Sequence, residues 1–192
     1  IMPASRPQEL KYVLPVFMKA AKKLQQKYPT LIVYIPSCRK DFDDKFKIAL
    51  KKYEVQGKVV SQYDIEELKT YIYSLTELAL CKSGTVNMEL ALYGIPQIVG
   101  YRVSRITAFI AKKILNFKVR FISPVNLLVK KLIIPEFVQK EFDVKKIFNK
   151  ACGIIDKKSE KVRIFKGYSL LKKELGEVGV VKRAAEEIIN SL

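Results

Sequence analysis

Apolar residues change their spacing repeatedly along this chain, and each change marks an element. Leu10, Val13, Leu14, Phe17, Met18, Ala21 and Leu24 recur at intervals of three and four, with lysine and glutamine between them. That spacing predicts an amphipathic helix over residues 7–28, stopping near Pro29. Residues 30–35 (TLIVYI) are a continuous, β-branched apolar run bounded by Pro36, the pattern of a buried parallel strand. Helical spacing returns over 41–53 through Phe42, Phe46, Ile48, Ala49 and Leu50, and Gly57 breaks it. Residues 58–61 read as a weak strand, 65–75 as a helix and 77–81 as a strand. A short helix over 86–93 is closed by Gly94, whose position suits a C-cap. A strand over 97–103, a helix over 106–115 and a last strand over 118–122 continue the alternation. Beyond Pro124 the rhythm stops: 143–156, 158–175 and 180–192 all carry helical spacing, and no further strand is expected.

Strand and helix alternating in this way predict an α/β fold with a doubly wound parallel sheet over 1–142, followed by a helical C-terminal tail over 143–192. Ile1-Met2-Pro3 reads as the end of a buried strand leading through a tight loop into the first helix. A strand needs about five residues, so the chain is expected to be the later part of a longer polypeptide, cut inside that strand. The tail is rich in apolar positions, from Val144, Ile147 and Ile154 through Ile164 and Leu171 to Val180, Val181, Ile188 and Ile189. One face of a single sheet would not cover them all. An exposed apolar stripe is therefore expected over 180–192.

Composition narrows the chemistry. The 192 residues are 49% hydrophobic, enough for a globular core and against wholesale disorder. Histidine is absent, which excludes Ser-His-Asp and Cys-His machinery and any imidazole ligand or base within the chain. Cys38, Cys81 and Cys152 lie far apart without a C-x-x-C pair, which fits a reducing cytosol better than a disulfide framework or a zinc site. Lysine and arginine number 36 against 19 acids, a net charge of +17. Such a charge could serve nucleic acid, but the lysines are spread over most helices without the arginine or aromatic clustering of an RNA surface. Anionic lipid headgroups and phosphorylated substrates are the expected partners, and nucleic acid is not.

Ligands of open α/β sheets bind at the carboxyl ends of the strands. At the first such end stand Ser5 and Arg6, where a guanidinium can pair with phosphate or merely decorate a capped helix start. At another, Cys81-Lys82-Ser83-Gly84-Thr85 runs from strand through turn into helix; it suits a diphosphate cradle or an ordinary capped turn. Glu89 lies one helical turn beyond Thr85, placed either to accept ribose hydroxyls or to be an exposed helix charge. Arg102 and Asn126 follow later strand ends on the same rim. Asp41-Phe42-Asp43 imitates the Asp-x-Asp metal motif of some glycosyltransferases, but two acids at a helix start are better explained by the macrodipole. Neither G-x-G-x-x-G nor a P-loop occurs.

Residues 81–96, CKSGTVNMELALYGIP, resemble the nucleotide-sugar motif of GT-B glycosyltransferases, Ser-Gly-Thr, then Glu, then Gly-x-Pro. Within that superfamily, residues 1–6 (IMPASR) resemble the Leu-Leu-Pro-Gly-Ser-Arg segment of the lipid-A-disaccharide synthase family. Gly100-Tyr101-Arg102 is similar to its Val-x-Tyr-Arg strand end, SPVNLL at 123–128 to its Leu-Pro-Asn-Leu-Leu, and Pro135-Glu136-Phe137-Val138-Gln139 to its Pro-Glu-x-x-Gln. These segments occur in family order across essentially the whole chain. Ala4 departs from the family glycine, and Val125 is an extra residue between Pro124 and Asn126.

The resemblance implies a Rossmann-like donor-binding half of a GT-B enzyme. The reaction it implies is an inverting transfer of 2,3-diacylglucosamine from UDP-2,3-diacylglucosamine to 2,3-diacylglucosamine 1-phosphate. It puts Ser5, Arg6, Ser83, Gly84, Thr85, Glu89, Asn126 and Gln139 on the UDP side, with Arg102 and Glu136 nearby. Arg6 would stabilise the leaving group without a metal or other cofactor, and the general base is expected outside this chain. The same resemblance implies a cytoplasmic protein peripheral to the inner membrane, with a homodimer as one use for the apolar tail. Another GT-B enzyme acting on peptidoglycan precursors, or a UDP-sugar epimerase, is the alternative.

Overall fold

The computed structural model describes residues 1–37, 39–61, 63–104, 120–176 and 179–190. Helix α1 (Pro7–Lys27) starts at Arg6, with Pro7 in the first turn, where its missing N–H costs nothing. It leads into strand β1 (Val33–Pro36), helix α2 (Lys40–Lys52), strand β2 (Gly57–Val60) and helix α3 (Ile65–Leu75). Strand β3 (Ala79–Lys82), helix α4 (Val86–Leu92) and strand β4 (Gln97–Tyr101) follow. Gly94 lies just past α4 with φ +73°, the left-handed C-cap expected of it. The expected helix over 106–115 falls outside the described residues.

Two corrections concern the stretch after β4. Residues 120–122, the described part of the expected last strand, are irregular. The sheet instead takes its outer strand β5 from Glu136–Val138, after a short helix α5 (Pro124–Val129) that the spacing did not suggest. Helices α6 (Val144–Asp156), α7 (Lys158–Leu175) and α8 (Val180–Asn190) close the chain, as the spacing predicts.

Among the described residues all strand pairs are parallel. β1 pairs with β2, and β4 lies between β3 and β5. Ile1 and Met2 sit between the two groups. The Ile1 nitrogen donates to the Tyr34 carbonyl (2.7 Å), the Met2 amide to the Leu80 carbonyl (2.8 Å), and the Lys82 amide to the Met2 carbonyl (3.0 Å). The spatial order therefore runs β2-β1-(Ile1–Met2)-β3-β4-β5. Connections leave this point toward opposite edges, which makes it a topological switch point.

Helix α1 contributes to the core on both sides of that point. Leu10, Met18 and Ala21 pack with Val33, Ile35, Phe42 and Phe46 beneath β1–β2. Val13, Phe17, Ala20 and Leu24 pack with Leu80, Ile98, Val99, Phe142 and the tail residues Ile147, Ile154, Ile164 and Leu171. Much of the tail thus completes the core of the sheet, and Asp156 fastens it to α1 by accepting from Lys27 (2.7 Å) and Tyr28 (2.6 Å). Helix α8 differs. Ile188 and Ile189 are 63% and 68% exposed, and the other apolar positions of the stripe expected over 180–192 lie outside the described side chains. No helix among the described residues is long and apolar enough to cross a membrane.

Candidate functional site

In a parallel sheet every strand points its carboxyl end the same way, so one rim collects the loops after Met2, β3, β4 and β5. On that rim lie Ser5 and Arg6, then Ser83, Gly84 and Thr85, then Arg102, then Gln139. Their juxtaposition is a product of topology. An apolar cleft of about 470 Å3 opens elsewhere, toward the amino ends of β1 and β3, lined by Leu24, Tyr34, Ile72, Leu80 and Leu90 among others. It carries little polar chemistry, and the rim is the better candidate.

Arg6 is the most available cation of the rim. Its side chain is 78% exposed, with Nη1 3.8 Å from Glu9 Oε1. Ser5 is exposed and does not cap α1; Arg6 occupies the N-cap through its backbone. At the β3 end, Ser83 Oγ donates to the Ile122 carbonyl, and the Gly84 amide donates to Asn87 Oδ1 (2.8 Å). The amide of Gly84 is therefore already engaged. Open space surrounds the position a Gly84 side chain would take, so a ligand can approach the backbone there. Thr85 is exposed at the start of α4.

Glu89 is half-buried between α3 and α4. It is ion-paired with Lys69 and accepts from the Tyr73 hydroxyl (3.4 Å). Burial, with Glu89 beside it, pushes the Tyr73 hydroxyl well above its ordinary range.

Three residues of the resemblance hold backbone. Arg102 donates to the Gln139 carbonyl from Nε (3.2 Å) and Nη2 (3.0 Å), and to the Phe142 carbonyl, so it clamps the turn that follows β5. Gln139 itself sits at φ +52°, and its amide donates to the Tyr101 carbonyl (2.9 Å). Asn126 is fully buried with every polar valence used. Its Oδ1 accepts from the amides of Ile133 (2.8 Å) and Ile134 (3.0 Å); its Nδ2 donates to the Ile134 carbonyl (2.8 Å) and to Glu136 Oε1 (2.7 Å). It has no atom left for a ligand. Glu136 also takes the Ile122 amide (2.7 Å), the Ser123 amide (2.9 Å) and the Ser123 hydroxyl (2.6 Å). Asn126, Glu136, Ile122 and Ser83 thus form one hydrogen-bonded chain that sets the position of the segment beside the rim.

Sequence reading missed a second set. Asn87 and Gln97 are fully buried and bonded to each other (3.0 Å), and Gln97 is bonded to the Tyr168 hydroxyl (3.1 Å), which itself donates to the Ile95 carbonyl (2.8 Å). This network locks α4 and β4 to α7. Lys82 and Glu9, an ion pair of 2.8 Å next to Arg6, were also missed; the signal for Glu9 was an acid three residues after Arg6. Cys81 is a buried free thiol, pushed up to about 12 by burial, and so inert. Asp41 pairs with Arg39 (2.8 Å) and Lys45 (3.9 Å), and Asp43 lies beside it in the first turn of α2. Among the described residues no three metal-ligating side chains gather.

A parallel, doubly wound α/β unit with polar loops collected around a switch point is by class a Rossmann-like domain. Residues 1–189 match the model of the family described as lipid-A-disaccharide synthetase. The lipid-A-disaccharide synthase of Prochlorococcus marinus (strain MIT 9313) is 44% identical over 190 residues, 99% of this chain and 48% of the relative. That of Gloeothece citriformis (strain PCC 7424) is 37% identical over the same shares. That of Synechocystis sp. (strain ATCC 27184 / PCC 6803 / Kazusa) is 35% identical over 98% of this chain and 47% of the relative. The chain belongs to the lipid-A-disaccharide synthase family. It spans about half the length of the curated relatives it matches.

Proposed function

We propose that this chain is the donor-binding half of an inverting glycosyltransferase. The full protein would move 2,3-diacylglucosamine from UDP-2,3-diacylglucosamine to 2,3-diacylglucosamine 1-phosphate, releasing lipid A disaccharide and UDP. The family match over residues 1–189 carries this reading. It is supported by Arg6, Ser83, Gly84 and Thr85 falling on one rim of the sheet.

Breaking the bond to UDP leaves negative charge on the diphosphate. In a site with fixed donors that charge is met without reorganisation. Arg6 is the principal donor in this reading, with the Thr85 hydroxyl beside it, and the open space at Gly84 leaves room for the diphosphate to approach. Glu89 takes the ribose hydroxyls by exchanging its contact with Lys69. Asn126, Glu136 and Arg102 act indirectly, by fixing the segments that border the nucleotide. Deprotonation of the acceptor hydroxyl needs a base, which this reading assigns to the remainder of the protein. The +17 charge supports work at an anionic membrane surface on the cytoplasmic side, and the exposed Ile188 and Ile189 support a contact with the rest of the protein or a second copy.

The test is disaccharide formation by the full-length protein, with UDP binding followed by calorimetry. Glu89→Ala should weaken UDP by about 1.5–3 kcal/mol, the worth of hydrogen bonds to a charged group, and leave the fold intact. Residues 1–192 alone should form no disaccharide. Unchanged UDP affinity in the variant would return Glu89 to a helix charge, and transfer by residues 1–192 alone would overturn the division of labour.

A further inference from the structure

Lys82 is the last residue of β3, one position before Ser83. It differs from the many solvated lysines of this basic chain because its side chain is only 19% exposed. The Lys82 amide is tied to Met2, at the switch point itself. The ammonium lies 2.8 Å from Glu9 Oε1 and 5.6 Å from the centre of the Tyr101 ring, at the end of the neighbouring strand. The side chain therefore reaches across the carboxyl rim of β3 toward β4. Enclosing a lysine costs side-chain entropy and desolvation.

Its partner is equally enclosed. The Glu9 side chain is 12% exposed. Oε1 lies between Lys82 at 2.8 Å and Arg6 at 3.8 Å. Oε2 is buried and, among the described residues, has no hydrogen-bond partner. A single carboxylate thus stands between two cations, and the group carries one surplus positive charge. Cations bracketed in this way suit an anion of more than one negative charge placed against both.

We propose that Lys82 is a second phosphate-binding cation of the rim, beside Arg6, and that Glu9 is the positioning residue that holds both cations there. The ligand class is a nucleoside diphosphate, so the proposal rests on the donor-site reading above and deepens it. Arg6 supplies an exposed guanidinium; Lys82 supplies an enclosed ammonium. Glu9 keeps the lysine from extending into solvent, and its charge is tolerable only while Lys82 neutralises it.

The experiment is calorimetric binding of UDP and of uridine to the full-length protein. Lys82→Met should weaken UDP by about 10- to 100-fold, the range for one charge-assisted hydrogen bond, and leave uridine within about twofold. Lys82→Arg should retain UDP affinity. Glu9→Gln should weaken UDP in the wild-type background, because the tether is lost. In the Lys82→Met background it should strengthen UDP, because an uncompensated carboxylate beside the phosphates is removed. Equal losses of UDP and uridine, or unchanged UDP affinity in Lys82→Met, would overturn the role of Lys82. Weakening by Glu9→Gln in both backgrounds would overturn that of Glu9. If Lys82→Met does not fold, Lys82→Gln is read by the same UDP-to-uridine comparison. Failure of the wild-type protein to bind UDP at all would instead sink the donor-site reading itself.

Discussion

Asn126 separates a residue that touches a ligand from one that builds the place where a ligand sits. Its four hydrogen bonds all go to protein, and its side chain is fully buried. Asn126→Ala would leave the amide and the carbonyl of Ile134 without partners, while the Ile133 amide keeps its second acceptor, the Lys131 carbonyl (3.0 Å). Each buried polar group left unpaired costs about 1–3 kcal/mol. A water entering the vacated space recovers part of that, so the net loss for two orphaned groups should be about 2–4 kcal/mol. That is a large share of the ~5–15 kcal/mol that stabilises an ordinary domain. With a urea dependence of about 2 kcal/mol per M, the unfolding midpoint should fall by about 1–2 M.

Asn126→Asp sharpens the test. It keeps the acceptor for the two amides but sets a second carboxylate against Glu136 Oε1, now 2.7 Å from Nδ2. One of the two carboxyls must then hold a proton, with a folded pKa raised above its unfolded value. The sign follows: the variant's stability deficit is largest at neutral pH and shrinks as pH falls through that raised pKa. Urea denaturation at pH 7 and pH 5 reads both effects. A midpoint unchanged in Asn126→Ala, together with loss of UDP binding, would refute the structural role and make Asn126 a ligand contact.

Three further outcomes are expected. In Gly100→Ala the new methyl would run into the Phe142 ring. Phe142 is fully buried and edge-on to Phe17 at 5.1 Å, so the variant should lose about 1–3 kcal/mol in thermal unfolding, and adding Phe142→Leu should recover part of it. Tyr168→Phe should cost about 1–3 kcal/mol in denaturant titration by orphaning the Ile95 carbonyl and one Gln97 donor. The Asp143 carboxyl caps α6, and the amides of Lys145 and Lys146 hold it below its ordinary range. Its stabilisation is therefore present above the unfolded value of about 3.9 and lost as pH falls through the depressed folded value; Asp143→Asn should flatten that part of the stability–pH curve.

Periodicity alone determined the elements that bury a continuous face. Helix α1 was legible because Leu10, Val13, Phe17, Ala21 and Leu24 must all leave water together, and it runs from Pro7 to Lys27 against an expectation of 7–28. The β-branched run before Pro36 and the helices α6 and α7 were legible for the same reason: local spacing records which side of an element faces the core. Glu136–Val138 was not. Its three residues are half-buried and carry no apolar run, and they are a strand because β4 offers them a free edge. The rim was legible as a list of strand ends, since a parallel sheet sends them all one way. The roles on that rim were decided in three dimensions. Arg102 reaches the turn after β5, Asn126 saturates itself on the loop that follows it, and Lys82 meets Glu9 from a distant helix. A polar residue's chemistry depends on which donor or charge stands within about 3 Å of it, and only folding brings those partners from remote parts of the chain.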